Sequence, residues 1–345
     1  MDFTEINLKL PTIDKKAAQQ AQNRLNSIAK PVGSLGVLED NLIRIAALTG
    51  KSQIEVKPRA LMVMCADNGV ACPDIAITPV HVTRTVAEMM VHKQSNVCRM
   101  ARIADCDVYP YDVGMFSRSN LKELTAWHIS DGTANMRFGP AMTAEQTKVA
   151  IKLGMDAALQ LASDGYKLLA TGEMGVGNTT TAAAVAAVLL KKEPEFVTGR
   201  GSGLSDHGLQ QKIRFIHEAI DINRPKSDDA FDVLSKLGGY DIAAMCGVFI
   251  GGAMARVPVL IDGLISSVAA LCAARLCPNS VNAMIASHCS AEPAAKIILD
   301  ELGLYPAISA GLRLGEGTGA VALMPLLDMA VEIYNHMLTF TDIGM

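Results

Sequence analysis

The chain has 345 residues, of which 50% are hydrophobic and 19% charged, enough for one large domain or two ordinary ones around a sizeable core. Its formal net charge of −4 and the lack of a basic run argue against a nucleic-acid surface. The longest apolar segment, from Ile242, is interrupted by Arg256 and Asp262, short of the roughly 18 uninterrupted residues that a membrane span needs. None of the eight cysteines forms a CxxC pair, so no zinc-ribbon site is expected. The start, Met1-Asp2-Phe3-Thr4-Glu5, is acidic and lacks the basic-then-apolar pattern of a secretory signal, so the thiols are read as reduced and the protein as cytoplasmic.

In chain order, Thr12 to Asn26 reads as a helix with Asp14 as its cap, and Lys30 to Gly36 breaks the pattern with a proline and two glycines. A second helix is expected from Leu38 to Gly50, and Arg59 to Cys65 reads as a buried parallel strand ending at Asp67-Asn68-Gly69. Pro79 to Ala101 reads as one helix, Asp107 to Tyr111 as a strand, and Thr143 to Gly165 as a helix. Tyr166 to Ala170 is the next strand, followed by a glycine-rich turn and a helix from Ala182 to Leu190. Beyond a second glycine-rich loop, Gly199 to Gly208, come a helix (Asp241 to Ala255), a strand (Val257 to Ile261) and another helix (Ser266 to Leu276). The strand Ala283 to Ser287, a helix begun by Ser290 to Pro293, a third glycine-rich loop (Gly311 to Thr318) and a helix from Ala320 to about His336 complete the chain. This alternation predicts an α/β fold, a parallel Rossmann-like sheet flanked by helices. Asp67, Asp112, Glu173, Asp262 and His288 fall at the carboxyl ends of its strands, where such sheets bind ligands.

Thr171 to Thr181 carries the most chemistry. A strand, a glycine-rich turn and a helix point backbone N–H groups and a helix N-terminus at an anion, and Glu173 adds a carboxylate beside that cradle. No Lys follows the glycines as in a Walker loop, and Gly175-Val176-Gly177-Asn178-Thr179-Thr180 lacks the third glycine of a dinucleotide fingerprint. Glycines alone would account for a tight turn, but not for Glu173, Asn178 and three threonines together. In the third loop, Glu316 lies between Gly315 and Gly317, where a ligand can approach closely. An aromatic ring packed there would desolvate the carboxylate toward the range of a general base, whereas on a solvated loop tip it would be an ordinary surface acid. His288 alone reads as a core histidine.

Taken together, Lys30 to Glu39, Gly172 to Thr180, Gly199 to Leu204, Gly238 to Met245, Asp262-Gly263, His288 to Pro293 and Arg313 to Ala320 resemble the nicotinate-nucleotide:dimethylbenzimidazole phosphoribosyltransferases of cobalamin nucleotide-loop assembly. The resemblance implies an α/β catalytic domain (59–324) and a small helical domain built from the chain ends (1–58 and 325–345). It also implies a dimer, and transfer of phosphoribose from nicotinate mononucleotide to an aromatic base with no metal or organic cofactor. On this reading Glu316 is the general base and Glu173 orients the ribose. Gly175, Val176, Gly177, Asn178 and Thr179 cradle the 5′-phosphate. Ser290, Ala291 and Lys212 add nucleotide contacts, Leu314 and Gly315 lie against the base, and Ala76 and Val80 line the acceptor pocket.

The departures are local. Asn68 stands where the family usually has His, Ala76 and Val80 stand at usually polar positions, and Ala294-Ala295 replaces a common Gly-His. A pocket with fewer polar partners suits a ring with fewer hydrogen-bonding atoms. The acceptor is therefore expected to be 5,6-dimethylbenzimidazole or a phenolic such as phenol or p-cresol. Phenol-using relatives pair two paralogous subunits, so a homodimer, a heterodimer and a weakly active subunit supporting a partner all stand as alternatives.

Overall fold

A computed structural model describes residues 1–72 and 74–345. The first helices are α1 (Phe3–Lys9), α2 (Lys15–Ser27) and α3 (Val37–Thr49), followed by strand β1 (Arg59–Ala66). Then come α4 (Val82–Val91), α5 (Asn96–Ile103), β2 (Asp107–Gly114), β3 (Thr125–Ala126), α6 (Ala144–Ser163), β4 (Leu168–Met174), α7 (Asn178–Leu189), α8 (Pro194–Val197), α9 (Asp206–Asn223) and α10 (Ala230–Leu237). The remainder is α11 (Tyr240–Ala255), β5 (Val259–Ile261), α12 (Leu264–Leu276), β6 (Met284–Ala286), α13 (Pro293–Glu301) and α14 (Thr318–His336).

The strands form one sheet in the order β3-β2-β1-β4-β5-β6, all pairs parallel. This is the doubly wound order, with its switch point between β1 and β4. Every residue of β1 is buried, as a central strand covered on both faces requires. Ala60, Met62, Met64 and Ala66 join one core with α6, α7 and α11, while Leu61, Val63 and Cys65 join the other with α2, α3, α5 and α14, following the two-residue period of a strand.

Asp14 caps α2 as expected, accepting from Lys16 N at 2.8 Å and Ala17 N at 3.0 Å. The two chain ends meet: Ala29 N donates to Leu338 O and Phe340 N to Ser27 O, both at 2.9 Å, and Arg24 Nε donates to Tyr334 O. The first helix, which the sequence reading missed, packs on the opposite sheet face, where the Phe3 ring lies 5.9 Å from that of Phe231.

Three expectations need correction. The single helix read from Pro79 to Ala101 is two helices, because Lys93 adopts a left-handed φ of 56° and Ser95 then caps a new helix through Cys98 N. The fourth strand runs on to Met174, so Glu173 is a strand residue rather than a turn residue. Helices α9 and α10 occupy a stretch read only as a loop and its sequel.

Helices α6 and α11 cross through glycines: a Cβ on Gly154 would lie 1.8 Å from Ala244 O, and one on Gly247 1.9 Å from Ile151 O. Gly247→Ala is expected to destabilise the fold by about 2 kcal/mol through overpacking. An unchanged urea midpoint would show that the two helices can separate freely.

Candidate active site

A cavity of about 220 Å³ opens at the carboxyl edge of the sheet beside the switch point. Its wall takes in the first turns of α7 (Gly177, Asn178, Thr179), α12 (Gly263 to Ser266) and α14 (Gly315, Glu316, Thr318), and Ser290 and Glu292 ahead of α13. Four helix N-termini therefore converge on it, and their dipoles favour anions. Arg200 and Arg313 add positive charge to the wall. The apolar side is made by Ile75, Ala76 and Ile77 with Leu204, Ile265 and Leu314.

Glu173 and Glu316, the two predicted acids, are brought together here, 8% and 7% exposed. The loop holding Glu316 packs directly on the end of β4: a Cβ on Gly315 would lie 2.8 Å from Glu173 Oε1, and one on Gly172 2.7 Å from Glu316 O. Glu316 has a left-handed φ of 60°, a strained state for a non-glycine residue that is held by its surroundings. Asn96 Nδ2 donates to its Oε1 and Val97 N to its Oε2, each at 3.1 Å. The carboxylate thus sits at the positive end of α5, with one lone pair on each oxygen still open.

The environment of Glu173 differs. Burial, then the charges of Asp241, Asp262 and Glu316, push its carboxyl up from 4.5 to about 8, against a lowering donation from Asn178. Burial and these neighbours thus favour the neutral form of the acid at the centre of the site.

The other strand-end acids hold loops. Asp262 accepts from Gly319 N at 2.7 Å and Ala320 N at 3.1 Å, capping α14. Asp112 accepts from Gly114 N and Met115 N at 3.0 Å. Asp67 accepts from Thr83 Oγ1 at 2.5 Å and Phe116 N at 2.9 Å. His288 is buried at the wall, with its ring 3.1 Å from Ser287 Oγ, and burial pulls its pKa down.

Among the remaining expected residues, Gly175, Val176, Gly177, Thr179, Ser290, Leu314, Gly315 and Ala76 line the cavity. Asn178 does too, but its amide donates to Glu173 Oε2 and so orients an acid rather than standing free for a phosphate. The N–H of Val176 is taken by Thr83 Oγ1 at 3.2 Å. Lys212 is not on the wall: it is fully buried one atom behind it, donating to Thr179 Oγ1 at 2.9 Å and Gly199 O at 3.0 Å. Burial lowers its pKa to about 8, against the opposing charge of Glu292. Val80 is 40% exposed, and both it and Ala291 lie outside the wall. Sequence reading missed Asn96 and Val97, which carry no motif, and placed Asp241 in a motif without naming it as a site residue. Arg200 and Arg313 had a signal, since they sit in the two glycine-rich loops already singled out.

A doubly wound α/β chain with an anion-receiving cleft and two buried acids at its switch point is built for chemistry on a phosphorylated substrate. Residues 10–345 match the family model described as phosphoribosyltransferase (DBI_PRT). A nicotinate-nucleotide–dimethylbenzimidazole phosphoribosyltransferase of Acetivibrio thermocellus is 42% identical over 328 residues, covering 95% of this chain and 93% of the relative. An Escherichia coli protein of the same name is 40% identical over 95% of this chain and 92% of its own. The crystal structure of CobT from Thermus thermophilus superposes with a TM-score of 0.91 at 37% identity, over 96% of this chain and 99% of that one. The chain belongs to this phosphoribosyltransferase family and is a pentosyltransferase. Among the described residues no helix is long and apolar enough to cross a membrane.

Proposed function

We propose that this enzyme moves phosphoribose from nicotinate mononucleotide to an aromatic base, releasing nicotinate and giving the α-riboside phosphate used to build the lower ligand of cobalamin. The observation that carries the reading is the pairing of Glu316 and Glu173 across one cavity whose rim is made of helix N-termini. The 5′-phosphate lies at the N-terminus of α7, with the Lys212 charge behind Thr179. The nicotinate ring of the donor is cationic and leaves readily. Its C–N bond breaks with the electron pair going to the ring nitrogen, the acceptor nitrogen bonds to the anomeric carbon, and the acceptor's released proton goes to Glu316. Much of the rate then comes from alignment and proton removal, with neutral Glu173 donating to the sugar rather than opposing the incoming ring.

The apolar stretch Ile75, Ala76 and Ile77 on the cavity wall favours a second acceptor class, a phenol, which would give an O-glycoside. Purified chain incubated with nicotinate mononucleotide and either 5,6-dimethylbenzimidazole or p-cresol decides both points by chromatography of products. Transfer to neither acceptor, by the chain alone, would favour a weakly active subunit that needs a paralogous partner. Transfer to the benzimidazole alone would remove the phenol reading. Light scattering on the same sample reads the homodimer expected of an active single chain.

A further inference from the structure

Behind the cavity lies an acid that is not itself part of the wall. Asp241, in the first turn of α11, is fully buried. Its Oδ1 accepts from Ile242 N at 2.9 Å, while its Oδ2 has no partner among the described residues. That free oxygen lies beside the amide of Asn178: a Cβ on Gly175 would stand 3.1 Å from Asp241 Oδ2 and 3.4 Å from Asn178 Nδ2. The same amide donates to Glu173 Oε2. One side-chain amide, with two N–H groups, therefore stands between two buried carboxyls.

We propose that Asp241 is a positioning residue for Glu173: across the Asn178 amide the two carboxyls carry one proton between them, held on Glu173 by the negative charge of Asp241, so that Glu173 meets the substrate as a neutral hydrogen-bond donor. What Glu173 does with that donor rests on the phosphoribosyl-transfer reading; the location of the proton does not. Two buried acids on either side of one amide cannot both be charged cheaply. Asp241 is the one to ionise, because its Oδ1 is already met by a backbone donor and because its pKa, about 6, lies below the value of about 8 for Glu173. The neighbouring charges push Glu173 up, against hydrogen-bond donors such as Asn178 that pull it down. Asp67 lies just beyond the end of β1 and acts on Asp241; Asp262, after β5 beside His288, and Glu316, before α14, act on Glu173; Arg200 and Arg313 stand on the wall of the same cavity. Negative charge on Glu173 is thus opposed from several elements, and the charge of Asp241 is the largest of these effects after burial.

The test follows the proton directly. In protein labelled with carboxyl-13C glutamate, the resonance that disappears in Glu173→Gln is titrated by NMR. It is expected to titrate near pH 8 in the parent, and about one pH unit lower in Asp241→Asn, which removes a charge and keeps the shape. Asn178→Ala removes the donor and is expected to move the same titration upward, the opposite sign, which no general loosening of the site would produce. Both variants are also followed in the basic limb of kcat/KM for nicotinate mononucleotide, which should move with the resonance. A Glu173 resonance in the ordinary glutamate range, or one that stays in place in Asp241→Asn, overturns the proposal. If Asp241→Asn does not fold, an unmoved or lowered titration in Asn178→Ala overturns it instead. If the resonances move as expected while no transfer from nicotinate mononucleotide occurs in any protein, the pairing stands and the functional reading falls.

Discussion

Glu316→Gln is expected to lower kcat for transfer to 5,6-dimethylbenzimidazole by roughly a hundred- to ten-thousand-fold, the usual contribution of a positioned base, with the fold retained. The substitution is mild in shape. The new amide places an N–H where a carboxylate oxygen faced either Asn96 Nδ2 or Val97 N, but Asn96 can turn its own carbonyl to meet it, so α5 need not shift. What is lost is the second lone pair that takes the acceptor's proton. KM for the nucleotide should change little, because an interaction made only as the proton leaves affects kcat and not ground-state binding. The defect should also depend on the acceptor. A phenol acidic enough to arrive already ionised needs no base, so the variant should approach parent turnover with such acceptors and fall furthest behind with weakly acidic ones. Near-normal turnover with the benzimidazole would remove the role given to Glu316. An equal loss with all acceptors would mean that the carboxylate supplies charge rather than proton transfer.

The parts of this site that were readable in the chain are those whose chemistry is local. Glycines at 175, 177, 315 and 317 announce turns and close approach, and an acid inside such a turn stands out against them; Glu173 and Glu316 could therefore be named together. The strand-and-helix alternation gave a parallel sheet, since buried parallel strands are short apolar runs bounded by turns. What escaped is set by tertiary contact. Asn178 reads as a phosphate residue, yet its amide is claimed by Glu173. Lys212 reads as a ligand residue, yet it is buried behind Thr179. The support of Glu316 by Asn96 and Val97 exists only because the helix expected across Pro79 to Ala101 breaks at Lys93 and restarts at Ser95, aiming a new N-terminus at the acid. A run of good helix formers gives no hint of that break. Asp241 was seen as part of a motif and not as a neighbour of Glu173, because only the folding of α11 against the end of β4 makes them so.

Glu173→Gln should make the protein more stable, and by an amount that depends on pH. In the unfolded chain this carboxyl releases its proton near the ordinary 4.5; in the fold it holds it to about 8. Between these values the folded chain binds a proton that the unfolded chain has lost, so the parent's stability declines as pH rises through the window and levels off above it. At about 1.4 kcal/mol per unit of displacement, the full penalty is on the order of 5 kcal/mol. Glutamine does not ionise, and its carbonyl still accepts from the Asn178 amide, so the variant escapes the penalty. Urea unfolding should therefore show near-equal parent and variant at pH 4.5, a gap opening by pH 7, and the largest gap at pH 9. A gap of the same size at every pH would point to packing rather than ionisation and would undercut the neutral state assigned to Glu173. The glutamine amide still offers an N–H donor in place of the carboxyl O–H, so this variant is expected to retain much of its activity, whereas Glu173→Ala, which removes the donor, is expected to lose it. An acid whose neutralisation stabilises the fold is what a functional group kept in an unfavourable place should look like. Here the cost comes first from burial and then from placing Glu173 among Asp241, Asp262 and Glu316.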